Sequence, residues 1–139
     1  MIVLDTNVLS ELMKAAPADS VMSWIASQPA TSLYTTSVTQ AEILHGIMLL
    51  SAGKRRNAFE AAAQGMFNED FAGRILPFGS DAASPYARIA AARRRAGHSI
   101  SHFDAQIAAI AQSTGAAVAT RNVSDFGGCG VKVINPWEG

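Results

Sequence analysis

The apolar positions change their spacing along the chain, and each change marks an element. Ile2, Val3 and Leu4 form a short continuous run that stops at Asp5-Thr6-Asn7, and Val8, Leu9 and Leu12 then repeat at helical spacing. The first pattern is that of a buried strand and the second that of an amphipathic helix, ending near Pro17. "DSVMSWIASQ" predicts a second short helix with Asp19 or Ser20 as N-cap and Val21, Trp24 and Ile25 facing the core. "SLYTTS" alternates as a strand and ends at Ser37, where Ser37-x-x-Gln40 has the spacing of a capping box. The helix that follows, "VTQAEILHGIMLLS", should run to about Gly53.

Beyond it lie an Ala-rich helix over "KRRNAFEAAAQGMF", a short strand at "GRILPF" with Pro77 at its end or edge, and a helix running from Pro85 to Gly97. A further helix, "SHFDAQIAAIAQST", is opened by Ser101 and closed by Gly115. "AAVAT" is a strand, "RNVSDFGGCG" a glycine-rich loop, and "VKVINPW" a last strand stopped by proline. Strands alternating with helices predict an α/β fold, a three-layer α/β/α arrangement on a mainly parallel sheet. In such sheets ligands sit beyond the carboxyl ends of strands, where the strand order reverses. Asp5 and Thr120 both fall at such ends.

Composition narrows the class. The 139 residues suit one domain, 1–139, and 49% hydrophobic against 16% charged residues indicates an ordered core. The single cysteine, Cys129, gives no intramolecular disulfide and no sign of an oxidising compartment. No signal peptide or membrane span is legible, so a cytoplasmic protein is expected. Net charge is zero, which removes the global basic excess of a nucleic-acid binder. Six of the eleven basic residues nevertheless fall in two triplets, Lys54-Arg55-Arg56 and Arg93-Arg94-Arg95. They form either solvated helix surfaces or a phosphate-tracking rim around a separate acidic centre.

The acidic residues each have a bland reading and a chemical one. Asp5 can cap a helix or bind a cation from a strand end. Glu42 shares a helical stripe with Val38, Ala41, His45 and Leu49, and a carboxylate at a core edge is costly unless paired, protonated or metal-bound. Asp104 completes a capping box with Ser101 and also occupies a first helical turn, where negative charge is favoured. Asn122 and Asp125 are ordinary loop residues that could turn toward the same crevice. The three histidines make no HxH or HExxH pattern, and no phosphate-cradling glycine motif is present, so zinc and nucleotide sites are unsupported.

Taken in order, "LDTNVL", "TQAEILHG", "FDAQIAAIA" and "VATRNVSDF" are far more specific than any one of them. Together they resemble the PIN domain, and closely the VapC-type ribonuclease toxins of type II toxin–antitoxin pairs, including the trafficking protein B-like branch that ends in "NPW". The resemblance runs from Met1 to Trp137. It implies that Asp5, Glu42 and Asp104 are the core acidic residues holding Mg²⁺ or Mn²⁺. Asn122 stands where some relatives carry Asp, and Asp125 matches another frequent acidic position, so the fourth ligand is open between them. Asp125 or one of the core carboxylates would act as base. Thr6, Asn7 and Thr120 match polar positions that orient ligands or water.

The resemblance further implies hydrolysis of RNA phosphodiesters, with Arg121 and the two basic triplets as candidates for gripping flanking phosphates. It implies a homodimer, a cognate antitoxin that blocks the site, and operator DNA bound only through that antitoxin, with no membrane partner. The alternative is a PIN-fold binding module that has lost catalysis and acts with an antitoxin on operator DNA. A phospho-acceptor role for Asp5 lacks both a DxD at the first strand and an evident partner lysine. If the carboxylates repel one another, Asp104→Asn should leave the metal-free protein at least as stable as wild type in urea denaturation. A clear loss would instead mean that Asp104 serves as a helix cap alone.

Overall fold

A computed structural model describes residues 1–138. Five strands, β1 (Ile2–Leu4), β2 (Leu33–Thr36), β3 (Ile75–Leu76), β4 (Ala117–Ala119) and β5 (Val133–Ile134), form one sheet in the order β3-β2-β1-β4-β5. Every pairing is parallel. Six helices cover it: α1 (Thr6–Leu12), α2 (Asp19–Ser27), α3 (Ser37–Met48), α4 (Lys54–Gly65), α5 (Ser80–Arg95) and α6 (His102–Thr114). This is the α/β architecture that the alternating pattern predicts.

The two faces of the sheet separate residue by residue. Successive strand side chains point to opposite faces. Val3 and Val118 therefore join Ile89, Ile107, Ile110 and Phe126 in a core beneath α5 and α6. Their neighbours Leu4 and Ala119 join Val8, Leu9, Val21, Trp24, Ile43, Ile47 and Phe67 in a second core beneath α1 to α4. α4 ends in a widened turn over Met66–Asp70, which drives Met66 and Phe67 into this second core.

Strand order fixes where chemistry can sit. From β1 the chain moves outward through β2 to β3, then returns to β4 on the other side of β1. The connections after β1 and β4 therefore diverge, leaving a crevice at their carboxyl ends. The register pairs Leu4 with Ala119, and the Asp5 amide donates to the Ala119 carbonyl at 2.9 Å. The next residues along the two strands, Asp5 and Thr120, are thereby held side by side at the mouth of the crevice.

Several local expectations need correction. α2 begins at Asp19, so Ala18 is its N-cap and makes no side-chain capping bond. α3 is capped one residue earlier than Ser37: the Thr36 hydroxyl accepts from the Thr39 amide at 3.0 Å. Its buried side is Val38, Thr39, Ile43 and Ile47, while Ala41, His45 and Leu49 are exposed and Glu42 lies at the boundary. It stops at Met48, short of Gly53. α5 starts at Ser80 and carries Pro85 inside it. The missing proline N–H leaves the Asp81 carbonyl without its helical partner, and Asp81 is exposed to water that can serve it.

The ends of α6 match expectation. Ser101 caps it by accepting from the Asp104 amide at 3.1 Å, and Gly115 at φ 73° closes it. Because Thr36, not Ser37, caps α3, Thr36→Ala should cost about 1–2 kcal/mol and Ser37→Ala only a few tenths. Urea denaturation of both variants checks this assignment.

Candidate active site

Asp5 is 4% exposed, and its carboxylate is built into a network of donors. The Thr6 amide donates to Oδ1 at 2.8 Å. The Thr120 hydroxyl and the Asn7 amide nitrogen donate to Oδ2 at 2.8 and 3.2 Å. The first of these bonds is also the N-cap of α1, so capping and site-building are one arrangement. Thr6 then links Asp5 to α3, because its hydroxyl donates to Glu42 Oε1 at 2.9 Å and lies 3.1 Å from the Thr39 hydroxyl. Asn7 reaches the other way: it donates to Thr120 Oγ1 at 3.1 Å and accepts from the Arg121 amide at 3.1 Å.

Asp5, Glu42 and Asp104 line one cleft of about 430 Å³, together with Thr6, Asn7, Ser10, Glu11, Lys14, Arg121, Asn122 and Trp137. Asp5 at the start of α1, Glu42 on α3 and Asp104 on α6 thus come together from segments distant in sequence, and Glu11 of α1 adds a fourth carboxylate that is already paired with Lys14. The electrostatics are those of an uncompensated acidic group. Burial pushes the Asp5 carboxyl up from 3.8 to about 6, with smaller upward pushes from Asp104 and Glu42 and a downward pull from the Thr120 and Thr6 bonds. Burial also raises Glu42 and Asp104, and Asp104 adds to the push on Glu42.

These oxygens suit a hard cation. Asp5 uses three of about four carboxylate acceptor positions on its donors, and Oε2 of Glu42 carries no named partner. Among the described residues, no three His, Cys, Asp or Glu side chains converge tightly enough to hold an ion as they stand. Mutual repulsion between partly desolvated carboxylates opposes such convergence.

The remaining sequence candidates separate. Asn122 lines the cleft, and its amide donates to Thr120 Oγ1 at 3.1 Å. Asp125 does not line it; it borders a neighbouring cavity with Arg93 and His98, although its charge still raises Asp104. Arg121 is in the cleft, its guanidinium 5.1 Å over the Trp137 ring. Arg55 stacks on Phe59 and borders an adjacent groove that shares Thr6 and Glu42 with the cleft. Arg56 pairs with Glu60 at 3.0 Å, while Lys54, Arg94 and Arg95 are exposed away from the cleft lining.

Sequence reasoning missed four lining residues. Ser10, Glu11 and Lys14 continue from Asn7 at spacings of three, four and seven, a polar stripe on an otherwise apolar helix that was available to read. Glu11 is buried yet satisfied: it accepts from Lys14 Nζ and from the Ala18 amide, each at 2.9 Å, which holds its carboxyl below the ordinary range. Trp137 gives no such signal, because only the tertiary fold brings the terminal segment over Arg121.

Comparison with known proteins accords with this arrangement. A family model described as the PIN domain matches residues 2–126, and the chain belongs to that family. VapC ribonuclease Y4jK of Sinorhizobium fredii is 45% identical over 138 residues, 99% of each chain. Toxin FitB of Neisseria gonorrhoeae is 38% identical over 138 residues, again 99% of each chain. The structure of FitAB bound to an IR36 DNA fragment matches with a TM-score of 0.91 at 38% identity, over 99% of this chain and 96% of that one.

The raised Asp5 carboxyl has a consequence for stability. The folded state holds this proton more tightly than the unfolded chain, so the group's contribution is full below about pH 4 and is lost as pH rises through about 6. At neutral pH the ionised group opposes folding by an amount on the order of 3 kcal/mol. Asp5→Asn should therefore raise the melting temperature of the metal-free protein at pH 7 and give little gain at pH 4, as thermal melts in EDTA would report.

Proposed function

We propose that the chain is a metal-dependent endoribonuclease, the toxin of a toxin–antitoxin pair. The observation that carries this reading is the set of Asp5, Glu42 and Asp104 in one cleft, on a PIN-family chain 45% identical to a VapC ribonuclease. Three carboxylates alone repel a phosphodiester; with Mg²⁺ or Mn²⁺ among them the local sign reverses. When bound, such an ion supplies an acidified water and a polarised phosphate.

The chain's own residues do the rest. Asp5, Glu42 and Asp104 would hold the ion, with Asn122, which lines the same cleft, as a further oxygen donor. Thr6, Asn7 and Thr120 lock Asp5 and Glu42 in orientation, the part that outer partners of metal-binding carboxylates perform. One of the cleft carboxylates would take the proton from the attacking water. Lys14 and Arg121 at the rim of the cleft meet the phosphates on either side of the cut. Single-stranded or loop RNA fits an open cleft of this kind, because its backbone and bases are accessible.

The partners follow from the relatives. FitB is a toxin, and its FitAB assembly was solved on DNA. A cognate antitoxin would cover the cleft here and bring operator DNA to the complex, which accords with a net charge of zero on this chain. The apolar groove of about 380 Å³ beside the cleft, lined by Met13, Ile43, Ile47, Leu50 and Phe59, offers such a partner a footing. Exposed Leu44 and Met48 on α3, Leu49 just past its end, and Phe103 on α6 supply apolar surface for a homodimer. Among the described residues no helix is long and apolar enough to cross a membrane.

The test is incubation of partner-free protein with total RNA in Mg²⁺, Mn²⁺ or EDTA, with cut sites mapped. Wild type should cleave only with metal, and Asp5→Asn and Glu42→Gln should fall to background. Thr120→Val should lose roughly 10–100-fold. Absence of cleavage by every folded, partner-free preparation would overturn the nuclease reading and leave the binding-module alternative.

A further inference from the structure

The arginine triplet at the end of α5 does not act as one surface. Arg94 and Arg95 are exposed, whereas Arg93 is half-buried and turned inward. Its Nε donates to the His98 carbonyl at 2.7 Å. Its Nη1 donates to the carbonyls of Asp125 at 2.8 Å and Gly127 at 3.1 Å, and lies 3.7 Å from the buried Cys129 sulfur. One guanidinium therefore ties the end of α5 to a segment 32 to 36 residues further along the chain.

The acceptors are all neutral. Among the described residues Arg93 makes no ion pair, so its charge is not cancelled at close range. That charge reaches Asp104 and offsets part of the push that Asp125 exerts on it. The loop 125–129 has little regular structure beyond the short turn Val123–Phe126, and Gly127 and Gly128 follow directly. Phe126 anchors it in the core from one side, and the Arg93 fork ties its backbone from the other. Asp125 is fastened through its own carbonyl and is followed directly by the Phe126 anchor.

We propose that Arg93 is a positioning residue of the carboxylate cleft: its guanidinium clamps loop 125–129 to the end of α5 and so fixes the Val123–Phe126 turn, and Asp125 with it, beside α6. The inference builds on the nuclease reading and separates Arg93 from the phosphate-gripping arginines. Arg93 acts through Asp125 and touches neither RNA nor metal. Separate nitrogens in one rigid plane serve His98 on one side and Asp125 and Gly127 on the other, a spread that the single ammonium of lysine does not reproduce, so lysine is a poor substitute despite its equal charge.

The test uses Arg93→Gln and Arg93→Lys in the full chain, with three readouts. Hydrogen exchange of the metal-free protein should show the amides of residues 125–129 exchanging about ten-fold faster in Arg93→Gln, with the sheet amides unchanged. The Mn²⁺ concentration giving half the maximal rise in melting temperature should increase about ten-fold. RNA affinity measured in EDTA should stay at the wild-type value. Arg93→Lys should shift the first two readouts in the same direction by less.

Unchanged loop exchange would overturn the proposal. So would an RNA affinity that falls while the Mn²⁺ midpoint holds, since that marks a phosphate contact. If Arg93→Gln does not fold, Arg93→Lys decides: wild-type behaviour in both exchange and Mn²⁺ midpoint rejects the clamp. A wild type that neither responds to Mn²⁺ nor cuts RNA would defeat the nuclease reading, while loop exchange would still decide for or against the clamp.

Discussion

Asp5 carries a charge that its surroundings work against. It sits at the end of the central strand, almost free of water, with the carboxylates of Glu11, Glu42 and Asp104 in the same cleft. Hydrogen bonds from Thr6, Asn7 and Thr120 offset only part of the desolvation, and the carboxyl remains raised to about 6. Much of the surrounding structure exists to hold that group in place. β1 is paired on both edges, Leu4 and Val8 are fully buried, and the α1 cap is the Asp5 side chain itself. On the proposed reading, a bound cation would offset the repulsion among these carboxylates.

How much of this could be read from residues alone depended on the range of the signal. Period and punctuation reached the strand at Ile2–Leu4, the helix between Ser101 and Gly115, and the parallel α/β class, because each rests on neighbours within one or two turns. The α3 cap lies one residue before the one the capping-box spacing predicts, since "TTS" offers three hydroxyls in a row and only the strand's pairing decides which of them is the last with extended backbone. The Glu42 stripe was also misjudged: Ala41, His45 and Leu49 look apolar enough to be inside, yet the helix is rolled so that Ile43 and Ile47 face the core. Glu42 itself still falls at the boundary.

The site shows the same division. Carboxylates at element ends drew attention because charge in such places demands a reason, and they do share a cleft. Hydroxyl-to-carboxylate bonds, such as Thr6 to Glu42, were beyond reach because they join residues 36 positions apart. The basic residues were the least legible. A run of arginines looks uniform in sequence, but the helix spreads adjacent residues around its axis, so one turns inward while its neighbours face water. The cleft's own cations, Lys14 and Arg121, come from no run at all.

The pairing of β1 with β4 has a consequence for how the protein is made. The Thr120–Asp5 hydrogen bond spans 115 residues, and the first strand lacks one of its two neighbours until residues 117–119 have left the ribosome. Contacts that distant in sequence form late and slowly. A nascent or prematurely terminated chain therefore holds Asp5 and Glu42 but no Asp104 or Thr120 beside them. The cleft is thus completed only once β4 has been made and has paired with β1, long after the strand that carries Asp5.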